Sequence, residues 1–410
     1  MPAHAEPEIA DRRLAGLVEA ARVVQPRTVA LRRRIHRHPE LGLQLPMTRS
    51  ALLDELSDLP LQLHRGESCS SVVGVLEGER PGPTVLLRGD MDALPLTEQT
   101  GLSYASKIEG SMHACGHDLH VAMLASSARL LAGRRELLAG RVLLMFQPGE
   151  ESEHGARHMI SEGVLDADGP AGTPSAAYAL HISATMPSGT VQTRPGALMA
   201  AADVLRVTVH GRGGHASAPH DAMDPVPAAA AMVGALQTML TRRVSALEPA
   251  VLTIAHIRAG TTSNVIPESA YLEGTLRTLS ERTRAQLHEQ LRQVCQYTAA
   301  AYGCTAQVQI EAGYPITVND PASAARMDGL AETVLGPRRT SPLQSPILGS
   351  EDFAYVLNRV PGALAFLGGC PPHLSPDTAE PNHSNRVVFD EAAMVDGVAM
   401  YAALALDALR

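Results

Sequence analysis

Two adjacent glutamates, Glu150 and Glu151, stand in the run MFQPGEESEHG, in a loop directly after an apolar strand pattern. Such a pair is ordinarily solvated surface charge. Here it has company. Upstream, HACGHDLH supplies Cys115 and His117, and downstream YALH ends on His181, each also at the edge of an apolar run. Thiol, imidazole and carboxylate at three such boundaries fit a hydrolytic metal centre, in which one carboxylate of the pair binds metal and its neighbour moves protons.

The elements that must position these loops read as strands followed by helices, the pattern of an α/β sheet covered on both faces. A basic helical segment around Arg27 to His38 is stopped by Pro39, and a short buried strand, Thr84 to Arg88, opens into the loop GDMDALP with Asp90 and Asp92. A helix is predicted from His120 to Leu131, then a strand from Arg141 to Phe146 leading to the Glu pair, a short helix in GARHMISEG, and a strand from Ala176 to Leu180 that ends at His181. In open α/β sheets ligands gather outside the carboxyl ends of strands, so Asp90, Asp92, the Glu pair and His181 are expected to converge.

Past Pro195 the texture changes. Asp203 to His210 alternates like a half-exposed strand, and beyond it come an Ala-rich helix from about Pro227 to Ser245, strands near Val251 to Ile257 and Ala270 to Leu279, a helix from Ser280 to Tyr302, and a strand at Thr305 to Ile310. That is a βαββαβ order, an α+β domain of ferredoxin-like type inserted into the larger one. The division expected is 1–197 plus 306–410 for the large domain and 198–305 for the insert.

Composition narrows the function classes. With 410 residues the chain suits about two domains and can bury a large site. The 43 acidic residues outnumber the 34 basic ones, giving a net charge of −9, and with 3% aromatics and no basic run there is no nucleic-acid footprint. The start, MPAHAEPEIADRR, has no apolar core of signal-peptide type, and no stretch nears the roughly 18 apolar residues of a membrane span. A cytoplasmic protein with no membrane partner is the expectation. Cysteines at 69, 115, 295, 304 and 370 form an odd, scattered set that reads as free thiols.

The strings RRRIHRHPELG, LLRGDMDALPLTEQTG, MHACGHDLHVAML, FQPGEESEHGARHMI, GRGGHASAPH, TSNVIPESAYLEGTLRT, LGSEDFAYV and NHSN, taken in order, resemble the amidohydrolase branch of the zinc aminoacylase and carboxypeptidase superfamily. That branch holds hippurate hydrolases, N-acyl-amino-acid amidohydrolases and auxin-conjugate hydrolases. The resemblance runs from about Arg32 to the carboxyl end. It implies a zinc-exopeptidase-like catalytic domain with a central, mostly parallel sheet, an inserted lid or dimerisation domain, a homodimer formed through that insert or a higher oligomer, and hydrolysis of the amide joining an acyl group to an amino acid.

By the same resemblance the metal ligands are Cys115, His117, Glu151, His181 and His383, holding two divalent ions per subunit. Zinc suits the mixed donors, and manganese, nickel or cobalt also fit imidazole and carboxylate. Many relatives place a ligand His two residues before the loop Asp, where this chain has Asp90. Asp92 is expected to orient a ligand imidazole. Glu150, free of metal, is expected to take the proton of the attacking water and deliver it to the leaving amine. His215 of GRGGHAS would stabilise the oxyanion, in its own or the neighbouring subunit, while Asn264 and Arg277 would contact the substrate carboxylate or the oxyanion. GRGGH does not have the spacing of a nucleotide-binding loop. A dipeptidase or carboxypeptidase is the rival reading, and an inactive metal-binding scaffold a distant one, disfavoured by the retained Glu150. His36, His38, His113, His120 and His154 match no ligand position, and His36 and His38 receive no chemistry.

Overall fold

The computed structural model describes residues 13–410; the amino-terminal stretch read above for a signal peptide lies almost wholly outside them. The chain divides into two compact units, one comprising residues up to Leu198 with Val318–Ser345 and Tyr355–Arg410, the other Met199–Thr317 with Pro346–Ala354.

The first unit is built on a seven-stranded sheet in the order Gln62–Arg65, Val72–Glu77, Ala139–Gln147, Arg80–Asp90, Ala176–Pro187, Gly362–Cys370, Val191–Gln192. Its four central strands run parallel, with antiparallel strands at either flank. Parallel strands covered on both faces read as unbroken apolar runs rather than alternating ones. Val142, Leu143, Leu144, Met145 and Phe146 are accordingly all fully buried, and such a side chain stabilises by about 1.5–3 kcal/mol relative to exposure. Helices Leu17–His36, His117–Ala132 and Ala393–Ala408 pack against one another beside this sheet.

Several boundaries differ from the sequence expectation. The first helix starts at Leu17, ten residues before Arg27, and continues through Pro26 because Leu17, Ala21 and Leu31 are anchored in the core. The helix expected from His120 begins at His117, placing that histidine in its first turn. The strand expected to stop at Leu180 runs on to Pro187, since pairing with Gly362–Cys370 continues through His181 and Ile182.

The second unit has a four-stranded antiparallel sheet, order Ala250–Ala259, Ser269–Thr278, Ala201–His210, Thr305–Ala312. Helices Pro225–Arg243 and Glu281–Ala301 pack together, and the alternating burial of Ala201–His210 leaves Leu205, Val207 and Val209 in the shared core. Element order and strand order are those of a ferredoxin-like fold. The unit extends past the expected end at 305: Thr305–Ala312 is hydrogen-bonded along Ala201–His210, from Thr305 opposite His210 to Ala312 opposite Asp203, so cutting there would strip an edge strand from the sheet. Among the described residues no helix is long and apolar enough to cross a membrane. All five cysteines are free and buried.

Candidate metal centre

The loop after strand Arg80–Asp90 carries Asp92, the loop after Ala139–Gln147 carries the Glu pair, and helix His117–Ala132 opens on His117, one residue after the tight turn at Gly116. That turn requires glycine twice over: φ is 84°, and a Cβ there would stand 2.3 Å from Ile182 Cγ2. The result is that Cys115 and His117 face the strand bearing His181. Cys115 Sγ lies 3.4 Å from His181 Nε2 and 3.2 Å from His383 Nε2. Glu151 Oε1 is 3.3 Å from His383 Nε2 and 3.9 Å from His117 Nε2. Cys115, His117 and His181 form one cluster of ligand atoms, Cys115, Glu151 and His383 a second, and His117, Glu150 and Glu151 a third. The five expected ligands and Glu150 are thus brought together within the first unit.

These atoms fit a metal better than they fit one another. Both ring nitrogens of His117 and Glu151 Oε1 are buried with no hydrogen-bond partner, a costly arrangement without a further ligand. Donors about 2.0–2.3 Å from a tetrahedral ion stand roughly 3.3–3.8 Å apart, the kind of spacing seen here. His181 donates from Nδ1 to the Ile182 carbonyl at 2.8 Å, which leaves the Nε2 lone pair aimed at the cluster. Burial, with His120 adding to it, pushes His181 down to about 3, so it is a neutral imidazole. Burial pushes the Cys115 thiol up to about 12. At His117 burial opposes the imidazolium, but Asp90, Cys115 and Asp92 outweigh it and hold the pKa well above its ordinary value. Burial likewise works against the Glu151 carboxylate, yet His383 and His117 keep it below the usual range. Metal uptake here must release protons.

Asp92 does more than sit near His117 Nδ1, at 3.5 Å. Its two oxygens accept the backbone N–H groups of Glu150, at 2.9 Å, and Glu151, at 3.0 Å, and so fix the loop that presents both carboxylates. His383 has a left-handed backbone, φ 71°, held by its own N–H donating to Ala114 O at 2.9 Å. Beside it Asn382 donates to the carbonyls of Cys115 and Ile182 and accepts from Ala184 N. Strain of this kind persists only where surroundings fix it.

The sequence left His120 as a residue behind the ligands or at the surface, and gave no sign of Asn382. His120 is fully buried, donates from Nδ1 to Asp90 Oδ1 at 2.5 Å and accepts the Ile182 N–H on Nε2 at 2.8 Å, tying the Asp90 loop to the His181 strand. The available signal was its place three residues after His117 on one helix face. Asp90 Oδ2 stands 3.6 Å from His117 Nε2 and is held by Arg88, which donates to it at 2.6 Å. Burial opposes its ionisation, but Arg88, His117 and His120 hold its pKa well below the carboxylate range. His120→Ala is expected to lose about 1–3 kcal/mol of stability, because it strands a buried amide and part of a buried carboxylate; urea unfolding measures it.

The other expected residues belong to the second unit. His215 and Asn264 meet on a two-stranded ribbon, Gly214–His215 with Val265–Ile266, where Ala216 N donates to Asn264 O at 3.1 Å. Arg277 lies elsewhere, on the four-stranded sheet, and donates to Ser350 Oγ at 3.3 Å.

Residues 86–407 match the model of peptidase family M20/M25/M40. Over 395 residues the chain is 36% identical to thermostable carboxypeptidase 1 of Saccharolobus solfataricus, covering 94% of this chain and 96% of that protein. Over 388 residues it is 35% identical to N-acetylcysteine deacetylase of Bacillus subtilis, covering 94% and 98%. The solved structure of a Bacillus subtilis dinuclear metal-binding peptidase from the M20 family superposes with a TM-score of 0.81 at 31% identity, covering 95% of this chain and 99% of that one. With the fold, the ordered motifs and the match in agreement over most of its length, the chain belongs to peptidase family M20/M25/M40 and is a hydrolase of its amidohydrolase branch.

Proposed function

We propose that this enzyme hydrolyses the amide bond of N-acyl amino acids, releasing a carboxylic acid and an amino acid, with two divalent metal ions held by Cys115, His117, Glu151, His181 and His383. The observation that carries the metal assignment is the set of buried, unpartnered atoms on His117 and Glu151 facing a thiol and two imidazoles. The dinuclear relative supports the stoichiometry, and the relative named as a deacetylase supports the substrate class. Divalent metal there supplies Lewis acidity, which makes a water acidic near neutral pH and polarises the amide carbonyl.

The protein's own groups do the rest. Glu150, buried beside Glu151, takes the water's proton and returns it to the leaving amine. Asp92 keeps that carboxylate on station through the two loop amides. His215 and Asn264 serve the developing oxyanion, and Arg277 offers a planar fork to the free α-carboxylate. The second unit acts as lid and dimerisation domain.

Identity to a carboxypeptidase favours a second reading, in which the same machinery cleaves peptide bonds. Chelation is expected to abolish hydrolysis, and Zn²⁺, Mn²⁺ or Co²⁺ to restore it. The restored enzyme should then be offered hippurate, N-acetyl amino acids, fatty-acyl amino acids and dipeptides. Turnover of dipeptides alone would overturn the acylase reading, and activity surviving verified metal removal would overturn the metal mechanism.

A further inference from the structure

The motif RRRIHRHPELG has no part in the chemistry so far, yet its side chains end close behind the ligand loop. Arg32 and His36, one helical turn apart on Leu17–His36, are both buried. Arg32 Nε donates to Asp118 Oδ2 at 2.8 Å, and His36 Nδ1 lies 2.8 Å from the same oxygen. Asp118 is fully buried and directly follows His117 in the first turn of His117–Ala132. Each clamp residue is itself held from behind. Arg32 Nη1 donates to Tyr104 Oη and to Glu391 Oε1, both at 2.8 Å, and His36 Nε2 stands 3.2 Å from Glu98 Oε2.

Burying so many charges carries a large desolvation penalty, and apolar packing of similar volume would serve stability as well or better. What the cluster adds is geometry. A ligand imidazole is usually aimed by a hydrogen bond to its other nitrogen. His117 has no such bond on either nitrogen, the nearest acceptor on Nδ1 being Asp92 Oδ1 at 3.5 Å. Its ring direction must therefore come from packing and from the backbone of its own turn, which is the backbone that Asp118 pins. Gly116, with its left-handed φ of 84°, passes the constraint on to Cys115.

We propose that Arg32 and His36 are positioning residues for the metal centre: gripping Asp118, they set the Cys115–Gly116–His117 turn in its ligating geometry before metal binds. This inference rests on the proposed metal site, and its test separates the two. His36→Asn places an amide donor where Nδ1 was and keeps the grip on Asp118, whereas His36→Gln reaches toward Glu98 and loses it. Co²⁺ affinity, measured by competition with a chromophoric chelator, is expected to fall about 10-fold or more in His36→Gln and in Arg32→Met, and to stay near the native value in His36→Asn. The thiolate-to-Co²⁺ absorption contributed by Cys115 should weaken in the same two variants.

Leu52→Ala, a cavity in the core that leaves every side chain of the cluster in place, supplies a comparably destabilised control expected to keep native Co²⁺ affinity. Equal Co²⁺ affinity in His36→Asn, His36→Gln and Leu52→Ala, whatever their urea midpoints, would show a merely structural cluster and overturn the proposal. Should Arg32→Met not fold, the Asn and Gln pair at position 36 decides alone. Native protein that bound no Co²⁺ would instead sink the metal centre, and the positioning role with it.

Discussion

Glu150→Gln is expected to leave the fold and the bound metal in place while kcat falls by about 10²–10⁴-fold or more, the range for loss of a positioned general base. The separation of effects follows from how the loop is held. The backbone N–H of Glu150 is held by Asp92, an anchor that the change from carboxylate to amide leaves in place. Glu151 differs, because its Oε1 stands 3.3 Å from His383 Nε2 in the cluster with Cys115. Glu151→Gln replaces an anionic donor by a neutral amide and should weaken metal binding first, with activity recovering in part at high metal concentration. Single-turnover rates together with metal content by elemental analysis distinguish the two. A Glu150→Gln protein that lost its metal while Glu151→Gln kept it would reverse the roles.

His215→Ala should lower kcat by about 10²–10³-fold with metal content unchanged, the effect of removing an oxyanion donor worth about 2.7–4 kcal/mol. The local geometry suits that role. Ser217 donates its backbone N–H to His215 Nδ1 at 3.1 Å, so Nδ1 is the acceptor and the exposed Nε2 carries the proton a donor needs. If the histidine serves a partner's metal centre, mixing His215→Ala with Glu150→Gln and allowing subunit exchange restores part of the activity, since some mixed dimers contain one intact composite site. If it serves its own chain, every mixed site lacks one of the two and activity stays low. Full activity of His215→Ala alone would reduce GRGGHAS to a structural turn.

The sequence by itself singled out the candidate set: Cys115, His117, Glu150, Glu151 and His181 each follow or precede an apolar run, and strand ends in an α/β sheet are where such groups can meet. It also determined both layer architectures, because unbroken apolar runs such as VLLMF and alternating ones such as DVLRVTVH are local signals of burial on two faces or one. Only the tertiary structure decided what aims and holds those groups. His120 looked like one more helix histidine until strand Ala176–Pro187 brought the Ile182 N–H to its Nε2. Arg32 and His36 looked like a basic helix end until Asp118, more than eighty residues away, closed on them. That the second unit ends beyond 305 was decided only by the pairing of Thr305–Ala312 with Ala201–His210. Composition and periodicity report how much of a side chain is buried, whereas a hydrogen-bond partner is fixed by chain segments that become neighbours only when the loops between them close.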